Sequence, residues 1–210
     1  MRKSEVVGLI IVFFSIALTI IMYPFMPEQM PSHWNSQDEV VGTTDKDFTL
    51  KIFPLVIFGI FTFFVIISRM GDLKPQTSET VFYYGVALNI LLLFFFVMHL
   101  VYILWNVGIR ISVFLVFNVG LGIMLFFLGR VLQHAKPHWF LSFRTPWVKR
   151  NEIVWEKTHQ LLGKLLCIIG ISGAVLGFFT PYASFVIVIA YFSVPFTYWY
   201  SYHHYRMLDK

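Results

Sequence analysis

Residues 136–164 read KPHWFLSFRTPWVKRNEIVWEKTHQLLGK, the longest interval of the chain with no apolar run able to cross a bilayer. It carries Trp139, Trp147 and Trp155, three of the six tryptophans, among a dense set of lysines and arginines. Apolar blocks precede and follow it. A basic, tryptophan-rich interval between such blocks is what a chain presents where it leaves the membrane, so the rest of the reading works outward from here.

Composition agrees. Of 210 residues, 58% are hydrophobic, 19% aromatic and only 13% charged, with a mean hydropathy of +0.72. A soluble domain carries about a quarter charged residues. The apolar content comes in long blocks, the pattern of membrane spans rather than of one buried core. Cys167 is the lone cysteine and lies inside such a block, so no intrachain disulfide is possible. The net charge of +5 is read by location and not as a sign of direct nucleic-acid binding.

Six apolar runs are expected to span: about Val6–Phe25, Ile52–Ser68, Val81–Trp105, Ile111–Leu128, Leu161–Phe179 and Tyr182–Tyr200. The first is read as a retained span, because it ends in MYPFMPEQMP without a small-residue cleavage site. A polar linker with Gly71 and Pro75 follows the second run, and Thr180-Pro181 makes a tight turn before the sixth. Twelve basic residues fall on the side of the termini and only Lys46, Lys51 and Arg110 on the other; Lys164 sits at the edge of the fifth run. The positive-inside rule then places both termini and the Trp-rich loop in the cytoplasm. The expectation is an all-α polytopic membrane protein with six transmembrane helices, N-in and C-in. Residues 1–80 form a two-helix region whose acidic outer loop is 27–51, and residues 81–210 a four-helix region whose basic inner loop is 129–160.

Within the spans, polar residues are few: Asn89, His99 and Asn118, with hydroxyls such as Ser15, Thr19 and Thr62. No Asp or Glu lies deep in a run, which argues against an ion-coupled carrier, because a transported proton must be held away from water. Asn118, Gly122 and Gly129 share one helical face, and so do Gly163, Gly170 and Gly177; small residues on a face let helices approach closely. Tyr191, Tyr198, Tyr202 and Tyr205 read as an interfacial aromatic belt.

Two loops can carry chemistry. In the inner one, Pro137 and Pro146 interrupt any helix, and Asn151 is placed to cap a new one with Trp155, His159 and Leu162 on one face. Arg144 and the Lys149-Arg150 pair lie where anionic headgroups lie. A lipid-facing anchor explains these residues. A sharper alternative has the Arg144 fork bond across to Glu152, Glu156 or nearby helix ends and shape a platform. A third is a metal site: Glu156 and His159 have the i, i+3 spacing of carboxylate bundles, and His134 and His138 are at i, i+4. No second Glu-x-x-His and no H-E-x-x-H occurs, so no metal or other cofactor is expected. In the outer loop, His33, Trp34 and Asn35 set a titratable ring, a flat apolar face and an amide side by side.

The inner loop resembles the signature of the SdpI family of bacterial immunity proteins. Arg144-Thr145-Pro146-Trp147, Glu152, Val154-Trp155, Thr158-His159 and Gly163 match it; Arg130, His138 and Ser142 depart from it. The outer loop is similar to the DUF1648-type domain that often precedes this signature, through Pro31, His33, Trp34 and Asn35. There Asp38 stands where glycine is usual, Val41 where Asp is usual and Thr43 where an aromatic is usual. The resemblance implies a non-enzymatic, multi-pass protein of the bacterial cytoplasmic membrane. It would protect against a secreted antibacterial peptide toxin and hold a transcriptional repressor at the membrane when toxin is bound. His33, Trp34 and Asn35 would face the toxin, the inner signature would face the cytoplasm, and lipids would surround both. The alternatives are a small exporter of a toxic peptide or lipid, and a membrane metalloenzyme with a cytoplasmic Glu/His site.

Overall fold

The computed structural model describes residues 2–70, 77–136, 142–179 and 185–208. Gly71, Pro75, Thr180 and Pro181, with the turns expected at them, lie outside the described residues. Six helices are long and apolar enough to cross a membrane: α1 (Lys3–Met22), α2 (Lys46–Ile67), α3 (Ser78–Asn106), α4 (Val113–Gln133), α6 (Glu152–Leu176) and α7 (Phe185–Leu208), with a short α5 (Pro146–Arg150) between the fourth and fifth. Their outward faces are apolar: Phe13 is 65% exposed and Ile20 68%. In water that would be costly; in lipid it is the expected state, since each helix closes its own backbone hydrogen bonds.

The 27–51 segment is not a plain loop. After a single 3-10 turn at Tyr23–Phe25, strands β1 (Gln29–Trp34) and β2 (Val40–Asp45) pair antiparallel, Gln29 opposite Asp45 and Trp34 opposite Val40. Asn35 makes the turn: its Oδ1 accepts from the N–H groups of Gln37 (3.0 Å) and Glu39 (2.9 Å). Asp38 takes φ 59°, a left-handed conformation that Asp tolerates and glycine favours. The glycine usual in the family at this position thus has a backbone reason. Helix α2 then starts at Lys46, six residues before the apolar run at Ile52. The charged turn continues the helix because Lys46 pairs with Glu28 (2.7 Å) and Lys51 with Asp47 (3.0 Å).

Helix α3 is the centre of the bundle. Its 29 residues span about 43 Å, longer than a bilayer's apolar layer. Tyr84, Ala87, Leu88 and Leu92 on α3 form a buried core with Val12 of α1 and Ile57, Phe61 and Phe64 of α2. At one end, Glu5 is fully buried and bidentate to Arg69, with oxygen–nitrogen distances of 2.8 and 2.9 Å. Deeper in, Pro54 leaves the Leu50 carbonyl without its i+4 donor. Thr19 of α1 supplies the donor at 3.2 Å. The same hydroxyl lies 3.4 Å from His99 Nε2, while Ser15 Oγ lies 3.0 Å from Nδ1. Because Thr19 has spent its proton on Leu50, Nε2 of His99 donates and Nδ1 accepts from Ser15. This satisfied histidine, stacked on Phe53 at 5.3 Å, joins α1, α2 and α3.

Helices α4 and α6 meet along glycines. A Cβ added at Gly122 would lie 2.5 Å from the Gly170 carbonyl oxygen, and one at Gly163 would lie 2.5 Å from that of Gly129. The two backbones therefore touch at two points seven residues apart. The two glycine faces expected in the spans are one interface, with Asn118 and Gly177 in contact at its far end.

Candidate functional site

The signature residues build a joint between α4, α5, α6 and α7. Thr145 caps α5 by accepting from the Val148 N–H at 3.3 Å, and Pro146 occupies the first helical position, where its missing N–H costs nothing. Asn151 caps α6, accepting from Ile153 (2.9 Å) and Val154 (3.2 Å). Helix α6 then runs unbroken into the membrane, and α4 reaches Gln133, so helices take up both ends of the loop expected over 129–160.

Each aromatic of the joint has a polar tether. Trp147 Nε1 donates to Ser201 Oγ on α7 at 3.0 Å and its ring meets Tyr198 and Tyr202 edge-on. Trp155 Nε1 donates to the Ala135 carbonyl after α4, also at 3.0 Å. His159 lies stacked on Trp155 at 4.2 Å. Its Nε2 accepts from the Phe143 N–H (2.8 Å), so the ring is neutral and Nδ1–H donates to the Trp155 carbonyl (2.8 Å). Thr158 is fully buried beside it.

Arg144 Nε donates to Ser142 Oγ at 2.8 Å, and burial holds its guanidinium below its ordinary pKa. The ion pairs among the described residues do not join Arg144 to Glu152 or Glu156. Both carboxylates are exposed. In the first turn of α6, Glu152 instead faces the positive end of the helix dipole.

The Glu/His residues weighed as a metal site lie apart in this geometry. Glu156 is exposed while His159 is buried with both ring nitrogens engaged, so the i, i+3 pair does not converge. His134 stacks on Tyr83 at 4.2 Å and bonds the Arg130 carbonyl. His138 lies outside the described residues. Among the described residues, no three His, Cys, Asp or Glu side chains group as metal ligands would.

At the opposite end, the three hairpin residues diverge. His33 is exposed, with Nδ1 2.9 Å from Ser32 Oγ. Trp34 turns inward and meets Tyr102 and Trp105 of α3 edge-on at 5.3 and 5.4 Å. Asn35 is consumed by the turn. Sequence reading did not anticipate the role of Asp38: its Oδ1 accepts from the Phe114 N–H in the first turn of α4 at 2.8 Å. An acid inside an acidic loop gave no sign of this; only the folded turn brings it onto a helix N-terminus 76 residues away.

A bundle of six apolar helices, capped at one end by a hairpin and tied at the other by a tryptophan joint, defines a multi-pass protein of the cytoplasmic membrane. Residues 134–199 match the model of the SdpI/YfhL protein family, and residues 10–58 match that of a domain of unknown function, DUF1648. The chain is similar to the immunity protein SdpI of Bacillus subtilis (strain 168), 28% identical over 99% of this chain and 98% of that protein. No solved structure matches it.

Proposed function

We propose that this chain is a non-enzymatic immunity protein that protects its cell against a secreted antibacterial peptide. Both termini and the tryptophan joint lie in the cytoplasm, and the hairpin lies outside. The likeness to an immunity protein along nearly the whole chain supports the class of function. The observation that carries the receptor reading is the bond from Asp38 to α4. A peptide that displaced the hairpin would pull on the first turn of the helix whose far end holds Trp155 through Ala135. His33, exposed on the hairpin, is the first contact, and the joint around Arg144, Trp147, Trp155 and His159 is where a cytoplasmic repressor would read the change. Such a readout needs two arrangements of the α4–α6 pair that the peptide binds unequally.

The test is deletion of the gene followed by challenge with the peptides the cell itself secretes. Loss of survival, restored by the wild-type chain and not by a His33→Ala form present at equal membrane level, is the expected result. Unchanged survival of the deletion strain overturns the proposal.

A further inference from the structure

Among the described residues, the end of the bundle that carries Glu5 holds more cations than its own anions satisfy. Arg69 takes both oxygens of the Glu5 carboxylate. Arg2 is held by longer contacts: its Nη2 donates to the Ser68 carbonyl at 3.4 Å and its guanidinium lies over Tyr84, while its Nη1 is buried, makes no hydrogen bond and stands 3.6 Å from Glu5 Oε1. Glu79, in the first turn of α3, is paired with Lys136 at 3.8 Å. Lys3 is exposed and enters no ion pair among the described residues. Among the described residues, Arg2, Lys3 and Arg69 are thus set against Glu5 alone, a surplus of two positive charges.

Arg2 and Lys3 stand at the mouth of a cavity of about 580 Å³ between α1 and α3. Arg2, Lys3 and Ser4 line it on one side, Phe82 and Val86 on the other, and Asn89 one turn deeper than Gly85. Asn89 Oδ1 is buried without a hydrogen bond. A cationic mouth with Ser4 beside it, above an apolar wall, is the order in which an anionic phospholipid presents its parts: phosphate, glycerol linkage and acyl chain.

We propose that this α1–α3 cavity is a binding site for one anionic phospholipid, its phosphate held by Lys3 and Arg2 and one acyl chain laid against Phe82 and Val86. A free phosphate would use the mouth and leave the apolar wall bare, so the whole cavity favours the lipid. A lipid seated there bridges the first and third helices at the membrane edge and supplies the anion that Glu5 alone does not.

The experiment uses the full chain, purified and reconstituted in phosphatidylcholine nanodiscs containing a minor fraction of phosphatidylglycerol. Native mass spectrometry counts retained phosphatidylglycerol. Removing one cation, as in Lys3→Gln, is expected to lower retention about five-fold; Lys157→Gln, an exposed lysine at the same end but on α6, is expected to leave it unchanged. Asn89→Leu is expected to lower retention as well, and Lys3→Gln decides the matter if that variant does not fold, because Lys3 is exposed. Equal losses in the two lysine variants, or no loss in either, overturn the site in favour of diffuse surface attraction. A thermal shift with glycerol phosphate equal to that with phosphatidylglycerol overturns the lipid as occupant.

Discussion

Alanine at Gly129 is a sharp perturbation of this fold. Its Cβ would stand 2.6 Å from the Gly163 carbonyl oxygen and 2.9 Å from both the nitrogen and the sulfur of Cys167. Carbon and oxygen sit comfortably only beyond about 3.4 Å, so α4 and α6 must part locally by about 0.8 Å. The obstacle is backbone and cannot rotate away, and overpacking of this kind costs roughly 1–3 kcal/mol. Alanine at Gly59 is the matched control. Nothing lies within 4 Å of its added Cβ, and alanine in a helix interior gains roughly 0.5–1 kcal/mol over glycine. That gain accrues at both helical positions, so the Gly129 variant should be less stable than the Gly59 variant by the overpacking cost, roughly 1–3 kcal/mol. Reversible unfolding by SDS titration in mixed micelles reads the difference. If the two variants unfold at the same SDS fraction, the glycine contact between α4 and α6 is wrong.

Three further outcomes follow from the joint, the hairpin and the expected orientation. Trp155→Phe keeps the ring and strands the Ala135 carbonyl, so it should lose roughly 1–3 kcal/mol in the same titration; an unchanged midpoint removes that bond from the account. Asp38→Gly should relieve the backbone at φ 59° yet lose the cap on α4, for a net loss of about 1 kcal/mol or less, whereas Asp38→Ala should lose more; the reverse order would mean the Phe114 contact is unimportant. Cysteine at the exposed Gln37 should react with an impermeant label on intact cells, and cysteine at Lys149 only after permeabilisation; external labelling at 149 refutes the orientation. For that assay Cys167 is first replaced.

Composition alone revealed the six spans, because a helix that faces lipid declares itself by apolar run length. It understated α2, α4, α6 and α7, whose ends continue past the apolar run; the Lys46–Glu28 pair extends α2 and the Asn151 cap extends α6. The hairpin went unread because its strands are short and interrupted by Pro31 and Gly42, so no clean alternation emerges, although Val40, Val41, Thr43 and Thr44 are residues that favour strands. Of the joint, the Asn151 cap and the shared face of Trp155 and His159 were legible from spacing. Their partners were not: Ala135, Phe143 and Ser201 act through groups that every residue or any serine offers, and nothing local marks them. The same holds for the glycine faces. Each was visible by its periodicity, but that α4 and α6 are the pair that meet is a property of packing.

The bond from Thr19 to the Leu50 carbonyl bears on how the chain enters the membrane. Pro54 makes α2 a helix that is incomplete by one hydrogen bond, and an unmet carbonyl in hydrocarbon costs several kcal/mol. Its complement is carried by the helix synthesised just before it. At the other end of the same pair, the buried carboxylate of Glu5 gains its bidentate partner only when Arg69, beyond α2, has emerged. Neither helix is therefore self-sufficient in lipid, and both defects are cured by one docking event that needs no residue beyond Arg69. The first two spans form an insertion unit that can settle while the remaining four are still being made, and Pro54→Ala, by freeing α2 from its neighbour, would loosen that order of assembly.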